Sequence, residues 1–447
     1  MAVGDSRSTK IILIGILIGI ILGGILGYLL GEDMLWSAFF GKLFLNALKM
    51  IVIPLIITSM VTGVAALGDI RKLGGTAAKT LGYYFLTTFA SVTIGIICVN
   101  LIQPGVGQGL FFIEQKEIVD AGEFSVFRFF LSLIPTNIFD AMARTDVLPL
   151  IIFSLFFGAV LTTIGPKGQK LYEIFDGLND VIMKMVHLIM YFAPIGVFGL
   201  VAGKIAEASM PMLDPAIYRD LKTLIEFHGG HGVEYFIAYA EPLTRGGGHQ
   251  IWLEVLKVGK YSLTVLTGLA IHAFVVLPIV LSLLARRNPL KYAYGVIQAV
   301  ATAFSTASSS ATLPITLDAV VKNNKVNSKA ASFVLPLGAT INMDGTALYE
   351  AVAAIFIAQL YGVDLSFAQQ VIIVLTATLA AVGAAGIPQA GLVTMVIVLQ
   401  SVNLPVEGIA SILAVDWLLD RFRTAVNVWG DSVGAAVIER TKEISSP

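Results

Sequence analysis

Long apolar runs separated by short polar stretches dominate the chain, and the first, Ile11 to Leu30, holds twenty residues without a charge. A helix needs roughly 20 apolar residues to cross about 30 Å of hydrocarbon, so each such run predicts a membrane-spanning helix. The other structure that lipid tolerates, a closed β-barrel, would show short alternating strands, whereas these runs are continuous and rich in Leu, Ile and Ala. The expected fold class is an all-α polytopic membrane protein. The first run is too long for a signal peptide and ends at Gly31-Glu32-Asp33, so it reads as a retained span.

The charges between the runs set an orientation, because Lys and Arg concentrate in cytoplasmic loops. Arg7 and Lys10, Arg71, Lys72 and Lys79, Lys167 and Lys170, then Arg286, Arg287 and Lys291 mark one side. Glu32 and Asp33, then Glu114, Glu117, Asp120 and Glu123, then a polar segment over 207–253 fit the other, giving six crossings up to Arg286. The alternation then breaks. Lys291 and the following Lys322, Lys325 and Lys329 fall on the same side, so the segment between them must turn back, and its middle, Ser305 to Thr312, is too polar to face lipid. A second returning segment, Ser366 to Asn403, is interrupted by Gly and Pro from Val382 to Gly391 and returns the chain to the cytoplasmic side for Arg440 and Lys442. Two interrupted apolar segments at matching positions point to the binding site of a secondary transporter built from inverted repeats.

Composition narrows the classes further. A chain that is 56% hydrophobic and 13% charged, with mean hydropathy +0.84, has lipid as the solvent for most of its length. One cysteine, Cys98, allows no intramolecular disulfide and no cysteine metal cluster, and a net charge of −1 offers no basic surplus for a nucleic acid. No Gly-x-Ser-x-Gly elbow and no His-Glu-x-x-His motif occurs, so the expectation is a carrier and not an enzyme. An anion channel would need rings of basic pore residues, and only Arg421 and Arg423 lie deep in a span.

Polar residues inside the apolar runs carry the chemistry. Asp420, Arg423, Thr424, Asn427 and Asp431 fall on one stripe of the last span at about 100° per residue. Ionisable groups inside a membrane cost a few kcal/mol each and mark a substrate or ion path by default. Arginine grips a carboxylate bidentately and a nearby aspartate can hold an ammonium group, which together describe an acidic amino acid. In the preceding span, Gly338 to Thr346 is a polar block. Asn342 and Asp344 would diverge by about 200° on a regular helix, so both serve one site only where the backbone unwinds, and freed carbonyls with carboxylate and amide oxygens suit sodium.

These motifs resemble the glutamate transporter, or dicarboxylate/amino-acid:cation symporter, family over nearly all of the chain. The likeness rests on Ser308-Ser309-Ser310-Ala311-Thr312-Leu313-Pro314, Asn342-Met343-Asp344-Gly345-Thr346, Ile387-Pro388-Gln389-Ala390-Gly391 and Asp420 through Asp431. It implies eight transmembrane helices, two re-entrant helical hairpins and a homotrimer working as an elevator in a plasma or cell inner membrane, both termini cytoplasmic. Its parts would be a scaffold over 1–76 and 124–206, a transport domain over 77–123 and 254–447, and an extracellular loop insertion over 207–253. Arg423 would then hold the side-chain carboxylate of glutamate or aspartate and Asp420 its amino group. Asn427 and Ser308, Ser309 and Ser310 would hold the α-carboxylate, with Thr424 and Thr346 nearby and Met343 between substrate and ions. Ile387, Pro388, Gln389, Ala390 and Gly391 would form the lid. Sodium would be taken by Gly338, Asn342, Asn427 and Asp431; by Thr340, Ala381, Val382 and Ala384; and by Tyr84, Thr87, Thr88, Asn342 and Asp344.

Two departures from the archaeal pattern matter. Ala307 stands where those members carry an arginine, and Arg421 sits on the last span instead. Glu350 follows the animal pattern, where a glutamate is associated with H+ co-transport and K+ return; a carboxyl can carry a proton that a glutamine cannot, although a hydrogen-bonded structural glutamate fits the same position. The alternative carriers of this fold move C4 dicarboxylates with protons or neutral amino acids. The first substrate has no ammonium group for Asp420, and the second needs no cation at 423. The 207–253 segment contains His228, His231 and His249, but without cysteines or a compact ligand pattern it reads as a solvated loop.

Overall fold

Residues 6–65, 75–106, 131, 133–144, 146–209, 248–383 and 390–440 are described by the structure, a computed structural model, and every regular element among them is helical. In chain order these are α1 (Ser6–Leu30), a 3₁₀ turn, α2 (Ala38–Ala65), α3 (Gly75–Ile102), α4 (Ile138–Arg144), α5 (Val147–Leu161) and α6 (Pro166–Ser209). Then come α7 (Gly248–Ile271), continued by π-turns at His272–Val276 and Leu281–Ala285, α8 (Pro289–Thr306), α9 (Ser309–Asp318) and α10 (Ser328–Ile341). The chain ends with α11 (Asp344–Leu360), α12 (Phe367–Gly383), α13 (Ala390–Ser401), a 3₁₀ turn at Val406–Ser411, and α14 (Leu413–Glu439).

Five helical runs among the described residues are long and apolar enough to cross a membrane: Ile14–Ala65, Ala78–Ile102, Pro166–Gly203, Val255–Ala285 and Ser328–Leu360. The first contains both α1 and α2. Helix α14 is long enough but carries Asp416, Asp420, Arg421, Arg423 and Asp431, so composition alone does not mark it as a span.

The chain divides into two compact units, Leu48–His187 with Lys260–Pro447 and Ala2–Ala47 with Leu188–Gly259. In the smaller unit α1 lies against the second half of α6. Lipid tails are as apolar as leucine, so helices in a bilayer gain from close backbone approach more than from burial, and small residues provide it. A Cβ on Gly15 would stand 2.8 Å from Pro194, on Gly19 2.6 Å from the Pro194 carbonyl, on Gly23 2.9 Å from the Phe198 carbonyl and on Gly27 2.7 Å from the Ala202 carbonyl. The four-residue spacing keeps these glycines on one face, while Ile14, Ile18, Ile21, Ile25 and Leu29 stay exposed.

In the larger unit α11 is the central rod, and nearly every residue of it from Asp344 to Leu360 is buried. Gly95 of α3 admits Leu348 and Val352 of α11, each within about 3 Å of where its Cβ would be. Tyr261 of α7 stacks on Phe356 at 4.7 Å, and α12, α13 and α14 close the remaining sides. One helix pair packs on α14 and a second packs on α11. Helices α8 and α9 meet at Ala307, in the left-handed region with φ 51°, and Ser308 caps α9 by accepting from the Ala311 N–H at 3.2 Å. Helices α12 and α13 pack on one another across residues 384–389, which lie outside the described set. At the far end of the first pair, Arg287 donates to Glu439 at 2.6 Å, Glu439 accepts from the Asn327 N–H at 2.7 Å, and Tyr292 donates to the Ser432 carbonyl at 2.7 Å. Those bonds tie the feet of α8 and α10 to the end of α14.

Alanine normally stabilises a helix over glycine by about 1 kcal/mol, so the glycine contact can be tested by sign. Gly19→Ala should lower the thermal midpoint of the detergent-purified protein by several degrees, since overpacking costs about 1–3 kcal/mol. Gly24→Ala, whose Cβ would stand 3.8 Å from Ile205, should leave it unchanged or higher.

Candidate functional site

The site begins where α10 stops. The chain runs helically to Ile341, takes non-helical angles at Asn342 (φ −96°, ψ 84°) and Met343 (φ −114°, ψ 59°), and resumes as α11 at Asp344. The break turns Asn342 and Asp344 toward the same hydroxyl: Thr87 Oγ1 lies 3.4 Å from Asn342 Oδ1 and 3.3 Å from Asp344 Oδ1. Thr88 donates to Asp344 Oδ1 at 2.6 Å, and Ser91 donates to the Asp344 carbonyl at 2.9 Å. On the other side Asn342 Nδ2 donates to Asp431 Oδ1 at 2.9 Å. Two carboxylates thus share one cage, Asp344 at 0% and Asp431 at 2% exposure.

Glycines let α14 come this close. A Cβ on Gly338 would run into the Asp431 carboxylate and stand 2.9 Å from the Tyr84 hydroxyl, and one on Gly430 would stand 3.1 Å from Asp344 Oδ2. Tyr83 donates to the Gly430 carbonyl at 2.9 Å and Tyr84 to the Val334 carbonyl at 2.6 Å, so the two rings brace the cage. No group of three or more His, Cys, Asp or Glu arranged to hold a metal occurs among the described residues. What surrounds the cage is carboxylate, amide and hydroxyl oxygen, the donor set of a hard cation.

Two turns along α14 the chemistry changes. Arg423 has no exposed surface; its Nη2 lies 2.7 Å from Asp420 Oδ1 and 3.2 Å from Asp416 Oδ1, and its guanidinium sits 3.8 Å from the centre of the Tyr349 ring. Its Nε and Nη1 meet no hydrogen-bond partner. A buried guanidinium with two idle donors presents an open edge to a carboxylate. Gly391 of α13 borders that edge, since its Cβ would stand 3.0 Å from Nη1 and 3.3 Å from Thr346. Asn427 Oδ1 accepts from the Gly345 N–H at 2.8 Å and its Nδ2 donates to Thr346 at 3.3 Å, which links Arg423's stripe to the head of α11. Thr424 is turned back onto the Asp420 carbonyl at 2.8 Å. Met343 is buried beside the helix break.

The remaining expected residues are distributed as follows. Ser308 and Ser309 are buried at the head of α9, Ser310 is exposed, and α9 packs on α14. Thr340 is exposed and bonds the Leu337 carbonyl at 3.0 Å; Ala381 is buried and Val382 half-buried on the last turn of α12, which packs against α10. Ala384, Ile387, Pro388 and Gln389 lie outside the described residues, as does the side chain of Ala390. Arg421 points away from Arg423 and donates to the Phe304 and Ser305 carbonyls at 3.1 and 2.7 Å, capping the end of α8. Glu350 is fully buried one and a half turns beyond Asp344; Thr394 of α13 donates to its Oε1, and its Oε2 meets no partner.

Four residues here escaped the sequence reasoning. Asp416 stands seven residues before Arg423, two helical turns, so the same periodicity that picked out Asp420 could have found it. His272, with Nε2 3.0 Å from Asp344 Oδ2, could have been found as a lone histidine inside an apolar helix. Tyr349 and Thr394 carry no local signal, because an aromatic or threonine in an apolar helix is ordinary.

The sequence model of the sodium:dicarboxylate symporter family matches residues 12–220 and 245–441. The chain is 40% identical to excitatory amino acid transporter 3 of Mus musculus, over 91% of this chain and 80% of that protein. It is 39% identical to excitatory amino acid transporter 1 of Ambystoma tigrinum, over 91% and 78%, and 37% identical to excitatory amino acid transporter 4 of Rattus norvegicus, over 92% and 79%. The cage also makes a structural forecast of its own. Gly338→Ala should displace Asp431 and weaken sodium-dependent thermal stabilisation of the purified protein about tenfold or more in concentration, the size of effect that disturbed ligand positions produce.

Proposed function

We propose, for a chain that belongs to the sodium:dicarboxylate symporter family, a working cycle in which sodium and an acidic amino acid enter one after the other along a single face of α14. The protein is a sodium-coupled symporter of acidic amino acids in the plasma membrane. The observation that carries this reading is the idle edge of Arg423: a guanidinium with no exposed surface, held by Asp420 and Asp416, with Nε and Nη1 unpaired.

Arg423, Asn427 and Asp431 follow at intervals of four, one turn each, so the carboxylate grip and the cation cage share one helix face. Sodium at Asp344, Asn342, Thr87 and Thr88 offsets charge that would otherwise be stranded out of water. A second sodium is taken by Asp431, Asn342, Asn427 and the Gly338 carbonyl, and a third by Thr340 with carbonyls of Ala381, Val382 and Ala384; Tyr84 completes the first. With the cations in place, Asn427 holds the Gly345 N–H and Thr346 as it does here, and these fix the wall against which the substrate lies. The side-chain carboxylate meets Arg423, the ammonium group meets Asp420, and the α-carboxylate meets Asn427 and the Ser308–Ser310 head of α9, whose N–H groups favour an anion. Ile387 to Gly391 close over it.

Eight membrane spans and two re-entrant hairpins, α8–α9 and α12–α13, fit the polar tip at Ala307–Ser309 and the charge pattern. Residues 77–123 and 254–447 slide as an elevator against a scaffold of 1–76 and 124–206 in each subunit of a homotrimer, with both termini cytoplasmic. This division concerns what moves, not what packs together, and so differs from the compact units above. Lys49, midway along α2, pairs with Glu407 at 2.8 Å, a contact that such sliding parts in every cycle. Glu350 carries the proton inward and leaves a charge for potassium on the return, a role supported by its unpaired Oε2 and its bond from Thr394 on the second hairpin.

Purified protein in sealed liposomes should accumulate labelled aspartate or glutamate under an inward sodium gradient, and uptake equal in choline would reject sodium coupling. Arg423→Ala should cut acidic uptake at least 100-fold, since stranding one partner of a buried ion pair costs about 3–5 kcal/mol. For Glu350, native uptake should rise with internal potassium and Glu350→Gln should lose that response; a native protein indifferent to internal potassium removes the role.

A further inference from the structure

His272 is a buried histidine in the long helical run Val255–Ala285, and the backbone departs from a regular helix at that residue. Helix α7 is regular to Ile271 and then widens into the π-turn His272–Val276, in which the Leu277 N–H donates to the His272 carbonyl. In that pattern the next carbonyl, Ala273, would be served by residue 278, but Pro278 has no N–H to give. Trp429 of α14 supplies the missing donor, its Nε1 reaching the Ala273 carbonyl at 3.0 Å. The neighbouring Gly430 is the residue whose missing side chain lets α14 approach Asp344 Oδ2. One segment of α14 therefore fixes both the widened turn and the carboxylate beside it, and π-turns of this kind gather at functional sites.

The consequence falls on Asp344. His272 Nε2 lies 3.0 Å from Oδ2, while Oδ1 takes Thr88 at 2.6 Å and Thr87 at 3.3 Å. The ring's Nδ1 is buried without a partner, so the acceptor opposite places the ring hydrogen on Nε2. We propose that His272 is a positioning residue for sodium coupling: its Nε2–H clamps Asp344 Oδ2 and so turns Oδ1 into the cage where the cation is held. This rests on the reading of Asp344 as a sodium ligand. Outer partners of metal ligands typically govern affinity by 10- to 100-fold, through orientation and not through direct contact.

The test uses the full-length protein in liposomes, with the sodium concentration for half-maximal aspartate uptake as the readout and sodium-dependent thermal stabilisation in detergent as a second. His272→Leu should raise both sodium concentrations 10- to 100-fold while the KM for aspartate at saturating sodium stays within a few-fold of native. His272→Gln, whose amide can donate to Asp344, should recover most of the loss; if the leucine variant does not fold, His272→Asn, polar but too short to reach, takes its place. Native sodium dependence in the non-donating variant overturns the inference, and so does equal impairment in the leucine and glutamine variants, which would make the ring a packing element. Sodium independence of the native protein itself would instead strike the reading of Asp344.

Discussion

A carboxylate held out of water needs a countercharge or a full set of donors, and α11 and α14 bring two of them, Asp344 and Asp431, into one cage. Among the described residues neither is paired with lysine or arginine; His272, Asn342 and the hydroxyls of α3 stand in their place. The rest of the larger unit is arranged around that shortage. The break at Asn342–Met343 turns Asn342 and Asp344 toward one hydroxyl, glycines at 338 and 430 let the backbones meet, and Tyr83 and Tyr84 brace the walls from α3. A cage short of positive charge suits a cation, and it stands two turns along α14 from an arginine whose Nε and Nη1 lack partners. The two are chemically complementary, one to a cation and the other to an anion.

Three arginines of the larger unit, Arg287, Arg421 and Arg423, illustrate how differently one side chain can be used. Arg287 ties the feet of two helices to Glu439, and Arg421 caps carbonyls at the end of α8. Both spend their donors on the protein. Arg423 is held in place by Asp420, Asp416 and the face of Tyr349, yet keeps part of its fork idle, and this incompleteness sets it apart from the other two.

The helical class and the polar stripe of α14 were legible because both follow from periodicity and from the cost of charge in lipid. The unwinding at Asn342–Met343 was legible too, since two oxygen-bearing residues two apart cannot share a face on a regular helix. His272 and Tyr349 were not, because their importance comes from where other helices put Asp344 and Arg423, and no spacing along the chain records that. The lid residues 387–389 were named from resemblance, and they lie outside the described residues. Composition does not mark α14 as a span because its charges mask its apolar face.

The cage draws on helices at both ends of the chain, with α3 among the earliest and α14 the last. A ribosome releases α11, carrying Asp344 and Glu350, before α14 emerges, so a nascent chain holds orphaned acids until α14 docks. Closure around α11 therefore waits on a long-range contact, and a chain that lacks α14 lacks the closing piece itself.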